Sequence, residues 1–316
     1  MDTPVGVVYD KYFENHITGT GHPEQPVRAT RVYNGLSQAG LLRSIPLLTP
    51  EPCLEKNLEL VHDPDYLTRS QKDIETGKTS LSTGDTQVSK DSWSVARRAT
   101  GGAILAIDKL FSGKLQRVFC ISRPPGHHAT PTRGMGFCLF NHIAIAARYA
   151  QKTYKVGKVL IVDWDVHHGN GTQDTFYEDE SVFFMSVHQH PWYPGTGTKD
   201  QTGKGRGLGT TLNFPLPSGS ARKEIVDSCF GEELKKKMNL YRPELILISA
   251  GFDSRKEDPL GQFALEDKDF ADLTQIICDL ANEFCNGKVV SILEGGYHLE
   301  GLSRAANSHF QALRNQ

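Results

Sequence analysis

The chain has 316 residues, of which 38% are hydrophobic and 23% charged, and a formal net charge of -2. That balance excludes a general electrostatic affinity for nucleic acid or for an anionic membrane. No apolar run reaches the ~18 residues that a membrane-spanning helix needs.

In chain order, VGVVY at 5–9 predicts a first strand. Apolar residues at three-to-four spacing over 92–111 predict a helix, and RVFCIS at 117–122 predicts the next strand. A helical pattern over 140–152 leads to KVLIVD at 158–163, then SVFFMSV at 181–187 and ELILISA at 244–250. A helical pattern over 269–284 precedes the last predicted strand, KVVSIL at 288–293. Strands apolar throughout, alternating with helices, indicate a mostly parallel sheet covered on both faces. No repeat, low-complexity tract or Pro/Gly/Ser-rich linker divides the chain, so the expectation is one doubly wound α/β domain over residues 1–316. The opening MDTPVGVVYDKYFENH lacks the basic flank and apolar core of a signal peptide. Six cysteines (53, 120, 138, 229, 278, 285) form no C-x-x-C pair, which suits free thiols in a reducing compartment. A cytoplasmic protein is expected.

Four of these strands end alike. RVFCIS is followed by RPPGHHA, KVLIVD by WDVHHGN, ELILISA by GFDSRKEDPLG, and KVVSIL by EGGYHLEG. Each strand opens at its carboxyl end into glycine-rich sequence carrying His, Asp or Tyr. Parallel α/β sheets bind ligands at that end, so four separate segments point to one site.

In D163-W-D-V-H, residues two apart face the same side of an extended chain. Asp165 and His167 could therefore reach one ion, with Asp253 after the 244–250 strand as the third ligand. Two carboxylates and one imidazole leave a position open, as a catalytic zinc requires. The same donors suit Fe(II). The structural alternative is that Asp163 and Asp165 cap a helix beginning near Thr172 or bind neighbouring backbone. A second metal would need carboxylates two residues beyond His167 and beyond Asp253, where Gly169 and Arg255 stand. Neither offers a ligand atom for a cation, which leaves one metal.

His127 and His128 supply adjacent imidazoles at a strand end made rigid by R-P-P-G. One could take a proton from an attacking water while the other shapes the field, and Asp163 could orient one of them. The alternative is one core histidine and one surface histidine. Tyr297, behind two glycines, could donate to a developing oxyanion, or be an ordinary turn residue. Together these parts describe metal-assisted hydrolysis of a carbonyl compound.

The motifs RPPGHHA, GFCLFNH, DWDVHHGNGTQ, YPGTG, AGFDSRKEDPLG and LEGGYHLEGL, in this order, resemble the zinc-dependent histone deacetylase family. GHPEQPVR near the N-terminus is similar to class II and bacterial members. The resemblance covers about residues 5 to 305 and implies a three-layer α/β/α arginase/deacetylase fold. It implies one catalytic Zn2+ on Asp165, His167 and Asp253, with His128 as general base, His127 as its electrostatic partner and Tyr297 polarising the acetyl carbonyl. Asn170 stands where class I members carry an aspartate directed at the second histidine of the pair. Physically, a neutral amide holds that imidazole while raising its proton affinity less than a carboxylate would.

Phe137 and Tyr193 match the aromatic walls of an acyl-lysine tunnel, with Tyr193 in place of the more usual phenylalanine. Gly136 and the rim residue Asp85 complete the implied substrate contacts. Leu260 occupies the place of the gatekeeping glutamate of polyamine-selective relatives. The resemblance also implies a structural K+ around Asp163, Asp165, His167 and Ser186, and an internal channel served by Arg28, whose alternative is an exposed helix face. Cys138 lies near the site by motif, though a buried thiol is more often packing. The run KKKMN at 235–239 is expected as a solvated helix face, and His168 as a structural hydrogen-bonding residue. The expected activity is deacetylation of acetyl-lysine in proteins or peptides. The alternatives are deacetylation of small N-acetyl amines such as acetylpolyamines, or acyl-lysine binding without catalysis.

Overall fold

In a computed structural model, which describes residues 4–315, the apolar runs become the strands of a single eight-stranded sheet. The elements are, in chain order, β1 (Val5–Val8), α1 (Arg28–Gln38), β2 (Leu47–Leu48), α2 (Glu55–Leu58), α3 (Pro64–Glu75), α4 (Ser92–Phe111), β3 (Arg117–Cys120), α5 (His142–Tyr154), β4 (Val159–Asp163), α6 (Asn170–Phe176) and β5 (Val182–Gln189). They continue with β6 (Thr211–Leu216), a π-helical segment at Lys223–Leu234, α7 (Lys235–Tyr241), β7 (Leu245–Ala250), α8 (Asp267–Phe284), β8 (Val289–Leu293) and α9 (Leu299–Arg314). The spatial order is β2-β1-β3-β8-β7-β4-β5-β6. Every pairing is parallel, where a mostly parallel sheet was expected.

Alternation along the central strands builds the two outer layers, because successive side chains leave a strand on opposite faces. Leu160 and Val162 pack in one cluster with Ile246, Ile248, Phe270 and Leu273 of α8, and Ala305 and Phe310 of α9. Val159 and Ile161 pack in the other with Leu245, Leu247, Ile107 of α4 and Ile143 of α5. All five residues of β4 and all six of β7 are buried, which explains their continuous apolar runs.

The strand order accounts for the convergence expected from sequence. β3, β8, β7 and β4 are consecutive neighbours at the centre of the sheet, so their four glycine-rich C-terminal segments emerge side by side. The elements missed by the sequence pattern lie mainly at the margins. β2 has only two residues, and β6 is a half-buried edge strand that tolerates Pro215. In α9 the buried stripe sets Gly301, Ala305, Ala306, Ser303 and His309 beside Leu302, Phe310 and Leu313, so only three of its eight buried residues are large and apolar.

Candidate active site

Asp165, His167 and Asp253 meet just beyond β4 and β7, with ligand atoms all within 4.8 Å of one another. Among the described residues they form the only such group of three or more metal-ligating side chains. His167 Nδ1 lies 3.0 Å from Asp165 Oδ1 and 3.2 Å from Asp253 Oδ2. One ring nitrogen carries at most one proton and cannot donate fully to both oxygens. Asp253 Oδ2 is buried without a hydrogen bond, which is costly unless a cation answers it. Burial and the Asp165 charge push the Asp253 carboxyl up to about 7. Burial opposes charge on His167, but the two neighbouring carboxylates win and raise it to about 10. The donor set is that of a divalent cation site with room for a further ligand. Gly295 makes the close packing possible, since a Cβ there would sit 2.0 Å from Asp253 Oδ2.

Of the structural alternative for the aspartates, the helix cap is absent, whereas bonds to backbone are present: Asp165 accepts the N–H groups of His167 (3.0 Å) and Gly295 (2.8 Å). α6 starts at Asn170, and its N-cap, Gly169, makes no side-chain cap. Asp163 instead spends its oxygens on the amide of Asp165 (3.1 Å) and on His127 Nδ1 (2.8 Å). A Cβ on Gly169 would lie 2.2 Å from Asp163 Oδ2, so no carboxylate fits there. Arg255 turns away from the cluster and donates to Asp267 Oδ1 at 2.6 Å.

The two imidazoles of the pair are buried, with ring centroids 4.0 Å apart and different partners. His127 faces the Asp163 carboxylate. Burial disfavours its charge, yet Asp163 and Asp165 prevail and hold its pKa well above the ordinary histidine value. His128 Nδ1 lies 2.8 Å from the neutral Asn170 Oδ1. Burial, followed by the neighbouring His127 and His167 charges, holds it well below the ordinary value. An amide oxygen at Nδ1 selects the tautomer with a free lone pair on Nε2.

Several supporting residues escaped the sequence reading. Glu294 closes β8, and its Oε2 accepts the backbone N–H groups of Gly126 (2.6 Å) and His127 (3.2 Å). Burial pushes it up to about 7. Arg28 is fully buried, which removes the exposed-face alternative. It donates to the carbonyls of Gly296 and Glu294, both at 2.6 Å, and lies 4.8 Å from the centre of the Tyr297 ring. It shares Glu24 with Arg123, so GHPEQPVR and RPPG join in one buried ion cluster. Asp258 Oδ2 accepts the amides of Tyr297 (2.7 Å) and His298 (3.1 Å).

Above the cluster opens a cavity of about 260 Å3. His128, His167 and Tyr297 form its deep part, and Gly136, Phe137, Tyr193, Leu260 and Asp85 line the rest. Trp192, not anticipated, completes the wall and donates its indole N–H to the Leu260 carbonyl at 2.8 Å. Gly136 has φ +56°, and a Cβ there would strike the His128 ring at 2.3 Å. The Tyr193 hydroxyl donates to Asp85 Oδ2 at 3.0 Å, and Asp85 Oδ1 accepts from the Gly136 N–H at 2.7 Å.

A histone deacetylase domain profile matches residues 22–313. The chain belongs to the histone deacetylase family. It is 36% identical over 308 residues to the chloroplastic histone deacetylase 14 of Arabidopsis thaliana, covering 92% of this chain and 73% of that relative. It is 34% identical over 317 residues to histone deacetylase 6 of Caenorhabditis elegans, covering 93% of this chain but spanning only 32% of that longer protein. A crystal structure of the HDA15 HD domain superposes with a TM-score of 0.92 at 33% identity, covering 98% of this chain and 89% of that one. The fold is thus the arginase/deacetylase fold, and the chain is a hydrolase that acts on acetyl amides.

His168 bonds Thr196 Oγ1 (2.8 Å) and Gln173 Oε1 (3.1 Å), as a structural histidine would. The Ser186 hydroxyl is buried and pairs with His188 Nδ1 at 3.0 Å. Lys235, Lys236 and Lys237 are exposed on α7, while Met238 is buried. All six cysteines are free and buried, and Cys138 directs its thiol to the Gly136 carbonyl at 3.3 Å. No helix among the described residues is long and apolar enough to cross a membrane.

Proposed function

We propose that this histone deacetylase family member is a zinc-dependent deacetylase of acetyl-lysine in proteins or peptides, and that residues 1–316 act as one catalytic unit. The observation that carries the reading is that His128, His167 and Tyr297 line one cavity of about 260 Å3, walled by Phe137 and Tyr193. Asp165, His167 and Asp253 would hold the metal, which when bound supplies a Lewis acid for the amide carbonyl and acidifies water. Fe(II) would fit the same donors.

The chain's own groups divide the rest of the work. His128, kept neutral and exposing Nε2 to the cavity, accepts the proton of the attacking water and then returns it to the leaving lysine amine. His127, held charged by Asp163, contributes a fixed positive field beside it. Tyr297 keeps its proton, because burial raises its phenol well above the ordinary value against the opposing pull of Arg28. It therefore remains a donor for the oxyanion as charge develops. Phe137 and Tyr193 exclude water along the acyl side chain. The products are acetate and free lysine.

The cavity wall favours peptidyl lysine over a free polyamine. Leu260 is apolar, and Asp85, the only carboxylate lining the cavity among the described residues, stands exposed at its mouth, where it can accept the backbone N–H of a peptide. Beside Leu260 a polycation finds no anion. A K+ around Asp163, Asp165, His167 and Ser186, and residence in a reducing compartment such as the cytoplasm, complete the proposal; the free cysteines support the latter.

The test compares the zinc-loaded protein on an acetyl-lysine peptide and on acetylspermidine, beside Tyr297→Phe. The peptide is expected to be the better substrate, and the variant to keep its metal while losing about 10²–10³ in kcat. A strong preference for the polyamine overturns the substrate reading. Stoichiometric zinc without hydrolysis of any acylated amine overturns catalysis altogether.

A further inference from the structure

Asp258 is hydrogen-bonded to none of the proposed metal ligands, although its charge is felt at Asp253, and its carboxylate is tied to three backbone amides in two separate loops. Oδ2 accepts from Tyr297 N (2.7 Å) and His298 N (3.1 Å), after β8, and Oδ1 accepts from Leu260 N (3.0 Å), after β7. The residue is only 8% exposed. Leu260 is in turn gripped at its other polar group, where its carbonyl takes the Trp192 indole N–H at 2.8 Å. Trp192 belongs to a third segment, after β5. One carboxylate thus lies at the junction of a hydrogen-bonded strap running from Tyr297, deep in the cavity, through Leu260 to Trp192 in its wall.

The chemistry of the junction demands a carboxylate. Three N–H groups converge on two oxygens, which a carboxylate, an acceptor only, receives without conflict. An asparagine would turn its NH2 toward at least one of them, and alanine would leave all three without this partner. The Gly296 φ of +120° gives the backbone before Tyr297 a conformation that side-chain-bearing residues rarely adopt, so the tyrosine's place depends on what holds the loop from outside. Arg28 holds it through the Gly296 carbonyl on one side, and Asp258 through the Tyr297 amide on the other.

We propose that Asp258 is a positioning residue that fixes the Tyr297 phenol for the reaction and, through Leu260 and Trp192, sets the width of the acyl tunnel with the same carboxylate. This rests on the oxyanion role proposed for Tyr297. Turnover and acyl-chain preference are therefore coupled in this protein. Misplacing a catalytic donor by about 1 Å costs up to about 100-fold, so the coupling is large enough to measure.

The experiment uses the full chain, zinc-loaded, with Asp258→Asn, Asp258→Ala, Trp192→Phe and Tyr297→Phe, alone and combined. Asp258→Ala is expected to retain metal and lower kcat on an acetyl-lysine peptide by about 10- to 100-fold with KM within about threefold, and Asp258→Asn to lose less. In the Tyr297→Phe background the same substitution should cost no more than about twofold, because the group it positions is gone. Equal losses in both backgrounds would overturn the positioning role. Asp258→Asn and Trp192→Phe should shift the butyryl-to-acetyl rate ratio in the same direction, and an unchanged ratio overturns the tunnel half.

Amide exchange in the metal-free protein gives an independent reading should Asp258→Ala not fold. Asp258→Asn should speed exchange at Leu260, Tyr297 and His298, and unaltered protection would overturn the strap. If Tyr297→Phe alone leaves turnover intact, the proposed chemistry falls instead, while the exchange measurement still decides whether Asp258 holds the loop.

Discussion

At and beneath the floor of the cavity, Asp165, His127, His128 and Asp253 are each 4% exposed or less, and every one of them lies in a segment that follows a central strand. At the mouth, Trp192 and Tyr193 are each 37% exposed, and one partner residue apiece holds their polar ends. The floor therefore works with desolvated charge, where electrostatic interactions are strong and an unanswered group is expensive. The mouth works with aromatic surface in contact with water, where a single hydrogen bond is worth little. Changes to the floor should remove chemistry or stability. Changes to the mouth should adjust binding.

The most severe test of the contrast is His167→Ala. It leaves the Asp165 and Asp253 carboxylates facing each other with neither the imidazole nor its ligand atom. Loss of bound zinc, measured by metal analysis, and a fall in turnover of more than about 10³-fold are expected. A variant that keeps stoichiometric metal and appreciable activity would break the assignment of the floor.

How much of this was readable in advance follows the same division. Asp165, His167, His127, His128 and Tyr297 are adjacent to apolar runs, and strand ends in a parallel sheet converge by topology alone. Their neighbourhood was therefore legible from spacing. Asp85, Phe137 and Tyr193 came only through resemblance, because loops carry no periodic signal. Glu294, Asp258 and Trp192 were missed although they stand inside or beside quoted motifs. Their importance lies in partners from 39 to 168 positions away, and no local pattern encodes such pairings. Arg28 illustrates the same limit, since a guanidinium on an amphipathic helix looks solvated until Glu24 and two carbonyls are found around it.

A second prediction concerns the buried frame around the floor. His16, His62, His142 and His309 are 1% exposed or less, and burial lowers them to about 3, 3, 4 and 3 respectively. His142 ties the helix α5 to the Pro124 carbonyl beside the histidine pair, and His62 accepts the amide of Asn141. The native protein holds these imidazoles neutral, whereas the unfolded chain protonates them near pH 6.5. The unfolded state thus binds more of these protons below that pH, so the contribution of these four histidines is complete above about 6.5 and falls as pH drops toward 3–4. Each histidine contributes a slope of roughly 1.4 kcal/mol per pH unit within that window. Glu24, lowered to about 2 by the two arginines despite its burial, adds a loss only below about 4.5. Denaturant midpoints should therefore decline between pH 6.5 and 5, the four histidines outweighing the opposite slope of Asp253 and Glu294, whose carboxyls are held up to about 7. A flat profile over that interval would mean the frame is not held neutral.

The smallest effect expected is at the mouth, and it is the sharpest test of the division. Tyr193→Phe keeps the aromatic wall and deletes only the hydroxyl that reaches Asp85. Asp85 is exposed and keeps the Gly136 amide, so the lost bond is worth about 1 kcal/mol or less. The carboxylate becomes free to swing, and a peptide backbone seeking it meets a less ordered acceptor. KM for an acetyl-lysine peptide should rise by about two- to fivefold, with kcat within about twofold and no change for a minimal acetylated amine that lacks a backbone. A tenfold fall in kcat at constant KM would place the phenol among the chemical groups. The boundary between floor and mouth would then have to be drawn above Tyr193.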